Sequence, residues 1–377
     1  MPRFFTPSAA ERRALEDLAA QIPDVQRRLT ANHPQLTLPD RGAHQQQLAG
    51  SRVELTLAPN LPQELDGLGI FRPPANGTHH IGIGRISTGL GCPHAETDAD
   101  FLGLMAAFRA PHGKRIDFIT INDPTSPTDT SQEFLALLQA TADAAGRSGQ
   151  LASQATLLAS LARHAGLRAP AIALHVTGQT SRTVRSRSAY QQYWTGIVRA
   201  RETLGKFTFV PTETVPDGHP PGRSDRYFTE EWAARQLGGP IEFALYWIPF
   251  VNDRETPLEN LTMPWRETQR VRVGTVTFPT IDRTTEDAQL VAMLASEMGA
   301  NQGNWEETSD GGSSDLPATP FTAARQLAYR ASQRTRKALA DAEYASFFDR
   351  GEISAALAAE LRTRRDAKIA AGHWVPK

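Results

Sequence analysis

Seven short segments of strand character, set among helical segments of uneven length, predict an α+β protein built on an antiparallel β-barrel covered by helices. Three observations carry that expectation. Several strands alternate cleanly, as where Val53, Leu55 and Leu57 oppose Glu54 and Thr56. The segment 240–248 puts Phe243, Leu245 and Trp247 on one face and Tyr246 on the other, so both faces ask for cover, as in a filled barrel. The helical stretches do not alternate regularly with the strands, which a doubly wound parallel sheet would require.

Taken in order, residues 9–21 form an amphipathic helical arm, with Leu15, Leu18 and Ala19 at helical spacing and Ser8 as its cap. Strands are expected over 51–58, 79–87, 114–122, 170–177, 205–211, 240–248 and 270–278. Helices are expected over 98–109, 131–146, 151–165 and 226–237, and a carboxyl-terminal helical set over 284–298, 318–347 and 352–371. The polar, acidic, glycine-rich stretch 302–317 reads as a connector. The chain therefore divides into an arm (1–32), a barrel core (33–283) and a carboxyl-terminal helical segment (284–377).

A chain of 377 residues, 40% hydrophobic, has enough apolar side chains for a large core. Its 40 basic and 41 acidic residues leave a formal net charge of -1, which offers no bulk attraction to nucleic acid or an anionic membrane. A small-molecule partner is expected instead. The single cysteine, Cys92, excludes an intramolecular disulfide, and the charged amino-terminal stretch has no signal-peptide core, so the chain reads as cytoplasmic. No apolar run is long enough for a membrane-spanning helix.

Several familiar motifs fail. Gly82-Ile83-Gly84 lacks the third glycine of a dinucleotide fingerprint, no phosphate-binding loop occurs, and no Gly-x-Ser-x-Gly elbow supports a serine hydrolase. His79-His80 and the pair Cys92 and His94 are too isolated to supply the ligands of a zinc site. Other motifs agree with one another. Arg325, Tyr329 and Arg336 fall within about 40° of one another on a helix, so two guanidiniums flank a phenol and bias it toward phenolate. A surface helix with a half-buried tyrosine would show the same spacing. Earlier come Arg41-Gly42-Ala43-His44, then Arg85-Ile86-Ser87 at the end of a strand. Next is Asp117 leading to Asn122 and Pro124, with Phe134 opening a helix.

That order resembles the haem catalase superfamily, and most closely its short members, the catalase-related peroxidases, over roughly residues 33–340. The resemblance implies a catalase-like antiparallel barrel with surrounding helices and a carboxyl-terminal helical segment. It implies haem b (iron protoporphyrin IX), with Tyr329 as the iron ligand and Arg325 as the cation that keeps the phenol ionised. Arg41, Arg85 and Arg336 match the family's haem-propionate partners, and Phe134 the phenylalanine packed over the haem. His44 matches the distal catalytic histidine and Ser87 the hydroxyl that holds its ring. Asn122 is the candidate for the distal asparagine, but ungapped alignment between Asp117 and Pro124 puts Ile121 at that position, and a one-residue shift in a strand reverses the face. Ala43 stands where true catalases usually carry a valine, and Leu327 where large catalases often carry phenylalanine.

The implied activity is peroxide metabolism: cleavage of the O–O bond of hydrogen peroxide or an organic hydroperoxide, with an organic electron donor if the enzyme is a peroxidase. Two alternatives remain open. One is rearrangement of fatty-acid hydroperoxides, in the manner of an allene oxide synthase, with Ala43 and the apolar residues Leu102, Leu104, Met105 and Phe108 admitting a long chain. Ordinary barrel packing is the better explanation of those four residues. The other is a haem-binding relative with little turnover. A helical arm of this kind could also exchange between subunits of a homo-oligomer, or fold on its own barrel.

Overall fold

The computed structural model describes residues 5–371, apart from 34–35, 75–76, 99, 112–113, 147–149, 184–186, 215–223 and 301–317. The expected connector at 302–317 lies outside the described residues. The strands are β1 (Gln47–Leu57), β2 (His80–Thr88), β3 (Leu102–Arg109), β4 (Arg115–Ile121), β5 (Tyr193–Thr195), β6 (Val198–Ala200), β7 (Thr203–Pro211), β8 (Ile241–Pro249) and β9 (Val271–Phe278). They run in the order β5-β4-β3-β2-β1-β9-β8-β7-β6, antiparallel at each pairing. The additional pairing of β5 with β7, Tyr193 opposite Phe209, closes eight of them into a barrel and leaves β6 beside the ring.

The barrel is full. Alternation sends Phe118 of β4, Phe207 and Phe209 of β7, Phe243 and Trp247 of β8 and Phe278 of β9 inward, all at most 1% exposed. Phe118 meets Phe207 and Phe209 edge-on at 5.2 and 5.4 Å, and Phe207 lies 4.8 Å from Trp247. Such aromatic contacts add about 0.5–1.5 kcal/mol each beyond the area they bury.

The helices are α1 (Ala9–Ala20), α2 (Ile22–Asn32), α3 (Ser131–Ala144), α4 (Gln150–Ala165), α5 (Ala169–Thr183), α6 (Tyr227–Gly238), α7 (Glu286–Glu297), α8 (Pro320–Thr335), α9 (Asp341–Arg350) and α10 (Ala355–Ala370). Ser8 caps α1 through a capping box with Glu11, as its position suggested. The arm is two helices rather than one, broken where Pro23 starts α2. Leu15, Leu18, Val25 and Leu29 of this arm pack against Leu135 and Leu138 of α3 and Ala324 and Ala328 of α8.

Two elements correct the sequence reading. Residues 98–109 were expected to be helical, but Leu102–Arg109 is strand β3: Leu102, Leu104, Ala106 and Phe108 fill the barrel while Met105 and Ala107 meet α7 and α9 outside it. Leu, Met and Ala favour helices, yet a strand buried on both faces reads as a continuous apolar run, and packing overrides the propensity. Residues 170–177 were expected to be a strand and instead lie in α5, where Ile172 and Val176, four residues apart, pack with Ala136 and Ala140 of α3. The expected helix 318–347 divides into α8 and α9. Lys337 adopts a left-handed backbone (φ 52) and Leu339 N–H donates to the Glu297 carbonyl at 3.2 Å, which turns the chain onto α7.

Candidate functional site

A cavity of about 1190 Å³ opens on the outer side of the barrel wall, lined from β2, β3 and β4, from the loop before β1, and from α3 and α8. Its position follows from strand periodicity. In β2 the even residue Ile86 fills the barrel, so Arg85 and Ser87 project outward. Of the nine site residues expected from sequence, His44, Ser87, Arg41, Arg85, Phe134, Arg325, Arg336 and Tyr329 line this cavity.

Asn122 does not line it. Its backbone N–H donates to the Leu102 carbonyl at 2.9 Å, and its side-chain oxygen accepts from the Leu102 N–H at 2.8 Å. Ile121, one residue earlier, faces the cavity instead. Here the expected candidate is spent on closing the β3–β4 ladder. Of the apolar residues considered for a long chain, Leu102, Leu104 and Phe108 belong to the barrel interior; Leu104 also borders the cavity, as does Met105 from the outer face.

His44 is held from several directions. Its backbone is left-handed (φ 54), an uncommon conformation for a residue with a side chain. Its N–H donates to the Gly89 carbonyl at 2.8 Å, and its carbonyl accepts from Arg85 Nη2 at 2.6 Å. Ser87 Oγ lies 3.2 Å from His44 Nδ1. Gly103 makes room for the ring: a Cβ there would sit 2.7 Å from imidazole atoms. Burial, which outweighs the pull of Asp100, together with the nearby charges of Arg85, Arg325 and Arg41, pushes the His44 pKa down to about 4, so the ring is neutral near pH 7.

On α8, Arg325 Nε donates to the Tyr329 hydroxyl at 3.0 Å and its Nη2 reaches the same oxygen, one helical turn bringing the two together as their spacing suggested. Thr319 caps this helix through the Thr322 N–H, and Arg336 sits at its carboxyl-terminal cap rather than within it. Phe134 meets Phe321 edge-on at 5.8 Å.

Arg85, which is buried, and Arg41 and Arg336, which are half-buried, form a cationic wall. Arg41 Nη2 donates to the carbonyls of Ser296 (2.8 Å) and Met298 (3.0 Å), and Arg336 Nη2 to Met298 O at 2.8 Å. Arg85 donates to Gln47 Oε1 and to the carbonyls of His44 and Gln45. Burial, then the mutual repulsion of the three, holds Arg41 well below the usual guanidinium range, and burial brings Arg85 down to about 10. None of the three makes an ion pair with a carboxylate among the described residues, although buried cations ordinarily need one. A ligand bearing carboxylates, an apolar body and an electrophilic metal would find partners here, the guanidiniums for its carboxylates and the Tyr329 oxygen for its metal.

Sequence reasoning missed three contributors. Gly103 is 59 residues from His44 in the chain, and only β3 as a strand brings them together. Asp100 accepts from the N–H groups of Gly89 and Leu90, at 2.7 and 2.9 Å, and so fixes the turn on which His44 hangs. Lys206 of β7 lines the cavity 4.9 Å from the Trp265 ring, its pKa lowered by burial to about 8. A basic residue inside the alternating run 205–211 was the available signal for it.

Among solved structures the fold is similar to catalases. Catalase A from Saccharomyces cerevisiae superposes with a TM-score of 0.59 at 15% identity, over 80% of this chain and 62% of that one. A fungal catalase gives 0.60 at 15% identity, over 80% and 59%, and a bacterial catalase 0.57 at 18%, over 80% and 58%. The chain thus spans about three fifths of the length of these structures. No family model matches the sequence, and no curated protein matches it. At this identity the likeness speaks for architecture: the chain has a catalase-like fold, an antiparallel barrel with surrounding helices.

Proposed function

We propose that the chain binds haem b through the Tyr329 phenol and promotes cleavage of the O–O bond of hydrogen peroxide or an organic hydroperoxide. One observation carries this reading: a single cavity gathers Tyr329 with Arg325, His44 with Ser87, and the cationic wall of Arg41, Arg85 and Arg336. Bound ferric porphyrin supplies the Lewis acid and the electrons that the bond cleavage needs. The three guanidiniums orient the porphyrin by receiving its propionates. Arg325 stabilises negative charge on the Tyr329 oxygen. With Nδ1–H directed to Ser87 Oγ, His44 keeps Nε2 as a free base. That nitrogen takes the proton from one peroxide oxygen and returns it to the other, so that water or an alcohol leaves rather than its anion.

The test is an absorption spectrum of the purified protein reconstituted with haem, before and after peroxide. Wild type is expected to show a strong Soret band of high-spin ferric character, and Tyr329→Phe to lose most of its haem. Equal haem retention in both would sink the ligand assignment. Asn122 favours a second reading, a haem binder with little turnover, because its amide is engaged by Leu102 and Ile121 faces the cavity in its place. Full haem loading with comparable inactivity toward hydrogen peroxide, an aromatic donor and a lipid hydroperoxide would select that reading. Product formation from the lipid hydroperoxide without net reduction would select the rearrangement.

A further inference from the structure

The cationic wall has a support that the site itself does not explain. Two carboxylates lie immediately behind it, Asp40, next to Arg41 in the chain, and Glu297, beside the carbonyls that Arg41 and Arg336 use. Both act on Arg41 through space, drawing its pKa upward. Their charges reach both guanidiniums, Arg41 from Asp40 and Glu297 and Arg336 from Glu297, so unrestrained they are anions with which these side chains could pair. They are occupied instead by the last helix. Lys368 Nζ of α10 lies 3.0 Å from Asp40 Oδ2, 2.8 Å from Glu297 Oε1 and 3.0 Å from Ser296 Oγ. Arg364, one turn earlier, takes Glu297 Oε2 at 2.9 Å and the Lys337 carbonyl at 2.8 Å. The remaining Asp40 oxygen accepts the Arg41 backbone N–H at 2.8 Å.

We infer that Lys368 is a positioning residue for the anion-binding wall: by holding Asp40 and Glu297, it keeps the Arg41 and Arg336 guanidiniums free for the carboxylates of a bound porphyrin. The inference rests on the proposed haem site and deepens it. The two acid contacts are nearly closed to water, with Lys368, Asp40 and Glu297 side chains 15%, 9% and 5% exposed, so their charges are weakly screened. Removing the lysine takes its charge from both carboxylates, leaving Glu297 with Arg364, and the guanidiniums they would recruit are those the ligand needs. The helix does not depend on Lys368 for its own attachment. Leu357, Ala358 and Leu361 of α10 are buried with Leu290, Val291 and Leu294 of α7, and Arg362 pairs with Glu286 at 2.7 Å.

The experiment measures binding of two probes to the full-length apoprotein by Soret titration: haem, and haem dimethyl ester, whose propionates are esterified and uncharged. Wild type, Lys368→Met and Lys368→Arg are compared, with far-ultraviolet circular dichroism and urea unfolding as checks on the fold. Lys368→Met is expected to bind haem about tenfold or more weaker than wild type. Its affinity for the ester should match wild type, and Lys368→Arg should restore haem affinity. Equal loss for both probes would show a merely structural role and overturn the inference, as would an undiminished affinity for haem. Wild type binding neither probe would overturn the haem reading itself, and this inference with it. Wild type binding both, with Lys368→Met unaffected, would overturn the inference alone.

Discussion

At His44, four independent constraints converge: a left-handed backbone, the Ser87 hydroxyl, the missing Cβ of Gly103 and the Arg85 donor to its carbonyl. A half-buried imidazole whose charged form is disfavoured has a measurable signature in stability. Its pKa is lowered from 6.5 in the unfolded chain to about 4 in the fold. Between those values the unfolded chain binds a proton that the folded one does not, so this contribution is present above pH 6.5 and is lost as pH falls through 4. The difference amounts to roughly 3 kcal/mol. Urea unfolding of apoprotein at pH 7 and 4.5 should show wild type losing about 2–3 kcal/mol more than His44→Ala. The same variant should retain haem while losing O–O cleavage. Equal losses at the two pH values would mean that the ring titrates as it does in water. Position 44 stood out in the sequence only through the order of several motifs, Arg41 and His44 followed by Arg85 and Ser87, because the first pair alone reads as an ordinary loop. Ile121 and Asn122 were harder to separate, because their roles depend on which face of β4 looks outward, and that is decided by pairing with β3.

Strands with clean alternation could be read directly: β8 falls within one residue of its expected limits, and β1 ends within one residue but starts four earlier. Segment β3 was misread because no polar residue marks either face between Leu102 and Phe108, and α5 because Ile172 and Val176 suit a strand as readily as a helix. The terminal helices show how elements deliver the site. Helix α7 presses on β1 at Gly50, where a Cβ would lie 2.9 Å from the Ala292 Cα and from the Ala295 Cβ. The carbonyls at the end of α7 are those that receive Arg41 and Arg336. Gly50→Val should therefore push α7 outward, lowering stability by about 1–3 kcal/mol in denaturant unfolding. Unchanged stability would show that the helix shifts without resistance.

Across the whole molecule, the barrel and its carboxyl-terminal helices are joined by a buried charge cluster. Arg115 of β4 bonds both Asp117 oxygens at 2.7 and 2.8 Å, Asp341 of α9 at 2.7 Å and the Gly299 carbonyl at 2.6 Å. Asp117 served as a motif anchor in the sequence, and its partners, more than two hundred residues away in the case of Asp341, could not be read there. Asp117→Ala leaves a buried guanidinium short of its nearest anion and should cost roughly 3–5 kcal/mol in unfolding experiments, without altering the Soret band of folded, reconstituted protein. A variant as stable as wild type would show that Asp341 alone suffices. The aromatic plug inside the barrel has a consequence for traffic. Since Phe118, Phe207 and Trp247 close its axis, no solute can travel down the middle, and the cavity that holds His44 lies on the outer side of the wall. A solute bound beside His44 is therefore selected by the residues around that cavity and not by the aromatic interior.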